Sequence, residues 1–195
     1  MTLIAITGGI GSGKSVVAHM VEVMGYHVYD CDRRAKELMS NDDEVRQQLV
    51  AAFGKEVYLP DGSLNRPHLS DVAFADDDAL ALLNGIVHPA TAHDMQRWAL
   101  SQAESGAEVA FVETALLRTA RLNLIVDKVW HVTAPDQVRI KRVMKRSGLT
   151  EQQVRDRMAA QVDEDSVADG EQVIINDNDN AVLPQVVRLL KGAKK

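Results

Sequence analysis

Several things are scarce or missing in these 195 residues, and each absence narrows the reading. There is one cysteine, Cys31, so no internal disulfide can form and a reducing compartment is expected. No apolar run is long enough to span a bilayer. Met1-Thr2-Leu3 runs straight into the first expected strand, which leaves no room for a signal peptide, so a cytoplasmic protein is expected. No internal repeat, low-complexity tract or interdomain linker divides the chain. A surplus of positive charge is also missing. The 22 Lys and Arg against 28 Asp and Glu give a formal net charge of −6, which argues against a general nucleic-acid surface.

What basic charge there is sits unevenly. Arg139, Lys141, Arg142, Lys145, Arg146, Arg155 and Arg157 crowd together, and no Lys or Arg occurs from Met158 to Val187. A local basic cluster in an acidic protein suits a small polyanion better than a long one, the rest of the cluster being a solvated helix face. The apolar fraction of 46% is ordinary for a packed core, and the length suits one domain with an insertion.

The stretch Gly8-Gly9-Ile10-Gly11-Ser12-Gly13-Lys14-Ser15 fits G-x-x-x-x-G-K-[ST], the phosphate-binding loop. The apolar run Leu3–Ile6 before it has the size of a buried strand. Val16, Val17, Met20, Val21 and Met24 after it recur at helical spacing, and Gly25 stops that helix. Strand, glycine loop and helix is the context the motif requires. The glycines let successive N–H groups face one anion, and the helix aims its positive end at the same point. Lys14 brings a mobile charge to the outer phosphates, and the Ser15 hydroxyl can ligate Mg²⁺.

Further along, His27-Val28-Tyr29 reads as a second strand ending in Asp30-Cys31-Asp32, with a helix beginning at Arg33. Two carboxylates at the carboxyl end of a strand are candidates for chemistry or for capping, and one of each is expected. A helix is expected over 41–53, with Val45, Leu49, Val50 and Phe53 on one face, then a turn at Pro60-Asp61-Gly62. Residues 66–86 read as two helical pieces broken near Ala75-Asp76, and Pro89 is expected to begin a separate helix to about Ala103. With no convincing strand, this stretch reads as a helical insertion able to carry a second substrate.

Glu108–Glu113 reads as the third strand, its terminal Glu113 placed to face Mg²⁺ directly or through water, although an acid after an apolar run is common. Lys128–Thr133 is the fourth strand. Pro135 opens a helix with Val138, Val143 and Met144 as core contacts. Ser147-Gly148-Leu149 ends it, and Thr150 with Gln153 forms a capping-box pattern for the next. These two Arg-rich helices could form a lid over a nucleotide. Gln172–Asn176 is the fifth strand, 181–190 the last helix with Pro184 in its first turn, and 192–195 a tail. Strands alternating with helices predict a five-stranded parallel, doubly wound α/β sheet.

A phosphate loop alone does not name a reaction. No Asn-Lys-x-Asp is present to read guanine, and the acidic surface disfavours a remodelling ATPase on long nucleic acid. A small-molecule kinase fits the length, the acids after strand two, the insertion and the Arg-rich helices.

At this point the chain resembles the dephospho-CoA kinase family over nearly its whole length. The resemblance rests on Thr7–Ser15, Asp30-Cys31-Asp32, Asn84 with His88-Pro89, Leu116-Leu117, the spacing of Arg142, Arg146, Arg157 and Gln161, and Val173-Ile174-Ile175-Asn176. It implies ATP-dependent phosphorylation of the ribose 3′-hydroxyl of dephospho-coenzyme A. A related kinase for another nucleoside or small alcohol, or a non-catalytic ATP-binding module, are the alternatives. ATP would be held by Gly8, Gly9, Gly11, Ser12, Gly13, Lys14, Ser15 and Val16 with Arg142, Arg146 and Arg157, and Mg²⁺ by Ser15 and Glu113. Asp32 would be the base, with Lys14 and Arg146 at the transferring phosphoryl. Thr7, Asp32 and His88 would meet the acceptor, His88 being equally readable as packing before Pro89. The resemblance implies a nucleotide core of 1–34, 107–138 and 170–195, an acceptor-binding insertion of 35–106 and a lid of 139–169. A monomer is expected, with a weak oligomer as the alternative, and no nucleic-acid or membrane partner.

Three departures from the family pattern stand out. Ala115 replaces a Pro, and Arg118-Thr119 follow the leucines where an aromatic and a Glu are usual. Gly170-Glu171 stands for Ala-Asp, and Val16 for Thr.

Overall fold

The structure, a computed structural model, describes residues 1–193. Lys194 and Lys195 of the expected tail lie outside the described residues. The strands are β1 (Thr2–Thr7), β2 (His27–Asp30), β3 (Val109–Glu113), β4 (Lys128–Thr133) and β5 (Gln172–Ile175). All pair in parallel, in the order β2-β3-β1-β4-β5. From β1 the chain moves outward to β2 and returns to β3, and then crosses to β4 and β5 on the other side. The strand order therefore switches direction beside β1, where open α/β sheets bind their ligands.

Two compact units divide the chain. The first comprises residues 1–30 and 98–195 and holds the sheet. Ile4, Ile6, Phe111, Trp130, Val132 and Ile174 bury one face of it against α1 (Lys14–Val23) and α9 (Val182–Ala193). Leu3, Ala5, Ala110 and Val112, alternating with these residues, are buried too, as a parallel sheet covered on both faces demands. Helix α9 runs through Gly192 and Ala193, where a tail is expected, because Ala193 joins Val186, Leu189 and Leu190 in that core. Helix α6 spans Asp136–Ser147, and its inward residues are Arg139, Ile140 and Val143. Met144 is exposed instead of core, since one further residue rotates a side chain by about 100° around the helix.

The second unit, 31–97, contains helices packed around Leu38, Val45, Leu49, Val57, Leu69, Ala73 and Ile86. Helix α2 (Cys31–Asn41) follows β2 with no intervening residue. It starts two residues before the expected Arg33, so Asp32 lies inside its first turn, where a carboxylate faces the positive helix end. Asn41 closes α2 and does not open α3 (Asp43–Phe53), whose cap is Asp42, accepting from Val45 N–H at 3.0 Å. Helix α4 (Arg66–Ala73) ends before the expected break, and Asp76 then accepts from Ala79 N–H at 2.7 Å.

The expectation that Pro89 begins a new helix is wrong. Helix α5 is continuous from Asp77 to Glu104, with Pro89 inside it. An interior proline loses one hydrogen bond and costs about 3 kcal/mol. Burial on both sides of it, at Ile86, Thr91, Asp94 and Met95, outweighs that loss. Apart from an isolated bridge between Tyr58 and Leu64, no strand occurs in this unit among the described residues.

Candidate functional site

The loop between β1 and α1 curls at the switch point. Gly13 holds φ 100°, a left-handed conformation that a side chain would strain, and from there its carbonyl starts α1 by accepting from Val16 N–H at 3.0 Å. The loop carbonyls are bound by cationic and amide side chains. Lys14 Nζ donates to Gly8 O at 2.7 Å and more distantly to Gly9 O at 3.4 Å. Arg139 Nε donates to Ile10 O at 2.9 Å, Asn176 Nδ2 to Ser12 O at 2.9 Å, and Arg142 reaches Gly11 O and Ser12 O at 3.4 Å. With these carbonyls bonded to side chains, and the amides of Gly9, Ile10, Ser12 and Val16 also engaged within the protein, what the loop can offer a ligand is its remaining N–H dipoles and the start of α1. That is the electrostatic character of an anion cradle.

Carboxylates stand at the ends of the neighbouring strands. Glu113 closes β3 and accepts a hydrogen bond from the Ser15 hydroxyl at 2.8 Å. Asp30, at the end of β2, is its partner in the sheet register. A hydroxyl and a carboxylate in contact suit a hard cation such as Mg²⁺, which needs oxygen ligands. Among the described residues no group of three or more His, Cys, Asp or Glu could hold a metal ion. An ion bound to Ser15 and Glu113 would therefore complete its shell with phosphate oxygens and water, as Mg²⁺ commonly does.

Thr7 and Ser12 are buried, and their hydroxyls have no hydrogen-bond partner among the described residues. Thr7 ends β1 and Ser12 lies within the loop, so both are unsatisfied polar groups sealed from solvent. Val16 is half exposed on the first turn of α1, with its N–H bonded to Gly13 O.

The three expected lid arginines separate. Arg142 is drawn onto the loop and also donates to Asn176 Oδ1 at 3.1 Å and Asn178 Oδ1 at 2.7 Å. Arg146, one turn on, is exposed, as is Arg157 on α7 (Glu151–Ala159). Neither has a hydrogen bond or ion pair among the described residues. The capping box at Thr150 and Gln153 forms with both of its bonds.

Sequence reasoning missed two groups here. Asp165, in the single helical turn α8 (Val162–Asp165), accepts from Gly9 N–H at 3.2 Å and pairs with Arg139. Gln161, noted only for its spacing, accepts from Ile10 N–H at 3.0 Å. Nothing local marks Asp165, because its partners lie far away in the chain. Two of the departures noted in the sequence are bonded to one another: Arg118 Nη2 donates to Glu171 Oε1 at 2.6 Å.

In the unit 31–97, Asp32 is exposed in the first turn of α2 and His88 is half buried within α5. Arg34 of α2 forms a two-pronged pair with Asp94 of α5, at 2.8–3.0 Å. Near it a cleft of about 380 Å³ is lined by Leu38, Val45, Gln48, Ile86, His93 and Arg97. No helix of the described residues is long and apolar enough to cross a membrane.

Comparison with known proteins adds independent findings. Residues 2–182 match the family model CoaE, dephospho-CoA kinase. The chain is similar to the dephospho-CoA kinase of Porphyromonas gingivalis, at 37% identity over 196 residues, covering 100% of this chain and 95% of the relative. Against that of Geobacter sulfurreducens the identity is 38% over 179 residues, covering 91% and 90%. Among solved structures, TT1252 from Thermus thermophilus aligns with TM-score 0.74 at 31% identity, covering 98% of this chain and 95% of that one. The dephospho-CoA kinase of Campylobacter jejuni shares the fold, with TM-score 0.71 at 19% identity, covering 98% and 96%.

Proposed function

This chain belongs to the dephospho-CoA kinase family, and from that premise we propose how its residues divide the work. The enzyme phosphorylates dephospho-CoA to coenzyme A, with ATP as the donor. The observation that carries the assignment of roles is the cradle itself: loop carbonyls turned to Lys14, Arg139 and Asn176, and Ser15 in contact with Glu113.

The loop from Gly8 to Ser15, continued by Val16, surrounds the ATP phosphates, and those of its amides that are not bonded within the protein donate to them. Lys14 exchanges its carbonyl partners for the transferring phosphoryl, a move its flexible stem allows. Ser15 and Glu113 would hold Mg²⁺, which would neutralise phosphate charge when bound. Asp32 accepts the proton of the ribose 3′-hydroxyl. That oxygen bonds to the γ-phosphorus, the bond to the β-phosphate oxygen breaks, and ADP leaves. Thr7 and His88 contact the acceptor. Arg146 neutralises the transferring phosphoryl from the lid, Arg157 assists, and Arg142 braces the loop while reaching the nucleotide.

Residues 35–106 serve as the acceptor-binding insertion and 139–169 as the lid, on a nucleotide core of 1–34, 107–138 and 170–195. The enzyme acts as a cytoplasmic monomer without nucleic-acid or membrane partners.

The test is ADP release with MgATP and dephospho-CoA, adenosine, pantothenate or no acceptor. Stimulation by dephospho-CoA alone, with the product phosphorylated at the 3′-oxygen, is expected. Equal stimulation by adenosine would move the chain to the broader class of nucleoside kinases. For the metal, Glu113→Gln should raise the Mg²⁺ concentration needed for half-maximal nucleotide binding. An unchanged requirement would remove Glu113 from that role.

A further inference from the structure

The short turn α8 is tied down on both sides. On one side its Asp165 and the preceding Gln161 accept from the amides of Gly9 and Ile10 in the phosphate loop. On the other, Glu164, only 2% exposed, accepts from the backbone N–H groups of Arg118 and Thr119 at 2.7–3.1 Å. Arg118 closes this second side. Its guanidinium donates to the Asp163 carbonyl at 3.3 Å, with the Glu164 carbonyl at 3.5 Å, and to Glu171 at 2.6 Å. Glu171 is seated in turn by the fully buried His131 of β4, whose Nδ1 lies 3.1 Å from its other oxygen.

We propose that Arg118 is a positioning residue for the nucleotide: by clasping α8 to Glu171 it holds Gln161 and Asp165 against the phosphate loop and keeps the cradle in shape. The physical case rests on burial and connectivity. Glu164 and Arg139 are almost wholly buried charges, so each needs its partners in place. Arg139 spans Asp165 and the Ile10 carbonyl, and its guanidinium lies where a side chain at Gly9 would have to go. The outer curve of the loop is therefore moulded against Arg139 and Asp165. If α8 shifts, that mould shifts with it. Arg118 touches neither the loop nor any group assigned to phosphate, so its influence must pass through α8. Residues 161–165 are then a fixed brace, and any lid movement is confined to the part of 139–160 beyond it.

The inference of a nucleotide effect rests on the loop being the ATP site, so the test reads loop and nucleotide separately. Amide hydrogen exchange is measured on the full chain without nucleotide. Arg118→Met should speed exchange at Gly9 and Ile10 by about tenfold, the size expected for losing a charge-assisted bond, while the amides of Ile4 and Ile6 in β1 keep their protection. Affinity for a non-hydrolysable ATP analogue should fall by about fivefold or more, with the KM for dephospho-CoA unchanged within about twofold. Arg118→Lys, which restores charge opposite Glu171 but not the fork, should recover part of both losses. If Arg118→Met does not fold, Glu171→Gln gives the same two readouts. Unchanged protection at Gly9 and Ile10, or a uniform acceleration that includes β1, would overturn the proposal. Faster loop exchange with unchanged nucleotide affinity would leave the structural brace standing and overturn its part in nucleotide binding, whereas a parent chain that does not bind the analogue would overturn the assignment of the loop to ATP.

Discussion

The carboxyl edge of the sheet and the helical unit 31–97 are held together by different physics. At the sheet edge the decisive contacts are polar and join residues far apart in sequence: Gly9 with Asp165, Ile10 with Gln161 and Arg139, Ser12 with Asn176, Ser15 with Glu113. Hydrogen bonds are directional, so such a region has one good arrangement and fails when a donor is displaced. The helical unit is organised chiefly by apolar side chains, with local caps at Asp42, Asn65 and Asp76, the two-pronged ion pair Arg34–Asp94 with Arg34–Glu37 and Arg97–Asp94 beside it, and Arg46 bonded to the Ser40 and Gly62 carbonyls. Apolar packing is non-directional and tolerates volume-conserving change. On the roles proposed above, the first region holds a charged ligand in register and the second keeps a surface in place. Substitutions in the first should therefore change rates and affinities, and substitutions in the second should change stability.

The sharpest test of that division is Asp32→Asn, which sits in the helical unit yet is assigned to chemistry. Its kcat should drop by about 10²–10⁴-fold, the usual range for losing a general base, while the melting temperature and ATP affinity stay near the parent's. Near-normal turnover would return Asp32 to a simple first-turn acid of α2. Leu49→Ala supplies the opposite case. Leu49 is wholly buried among Leu38, Val45 and Ile86, so denaturant unfolding should show a loss of roughly 2–5 kcal/mol, with turnover of the folded fraction little changed. A large fall in kcat for that folded fraction would erase the contrast.

Arg146→Ala tests the exposed arm of the basic cluster. Losing one charged hydrogen bond to a phosphate, worth roughly 1.5–3 kcal/mol, should lower kcat/KM by about tenfold or more. A loss below about twofold would make Arg146 a surface residue and leave only the arm bonded to the loop, Arg139 and Arg142, in use. Thr150→Ala removes the capping box of α7 and should cost about 1 kcal/mol in thermal unfolding, with α7 amides exchanging faster. The smallest effect belongs to Tyr58. Burial raises its phenol pKa above 10.0, partly opposed by Arg46 stacked 3.9 Å over the ring. The folded state keeps that proton to higher pH than the unfolded chain, so its contribution is complete below pH 10 and declines as pH rises through the raised value. Tyr58→Phe should flatten the alkaline limb of the stability curve, at the cost of the bond to the Met39 carbonyl; an identical limb in both proteins would show that Tyr58 does not control it.

By itself the sequence determined the elements that depend on neighbours along the chain. The strand–loop–helix at Leu3–Val23, the alternation that makes a parallel doubly wound sheet, the capping box at Thr150 and the pause at Asp76 were all legible. Each follows from local sterics, periodicity or a side chain reaching its own backbone. Tertiary structure alone decided the rest. It carried α5 straight through Pro89, because burial on both sides exceeds the loss of one hydrogen bond. It set the strand order β2-β3-β1-β4-β5, which brings Asp30 beside Glu113 although 83 residues separate them. It divided the basic cluster, turning Arg139 and Arg142 onto the phosphate loop and leaving Arg146 exposed, since Arg146 lies on nearly the same side of α6 but a turn further along its axis, past the loop that Arg139 and Arg142 reach. And it joined Arg118 to Glu171, 53 residues apart, which look like unrelated departures when read along the chain. Periodicity reports what a residue does to its neighbours in sequence, whereas a buried charge finds its partner only once the chain has folded.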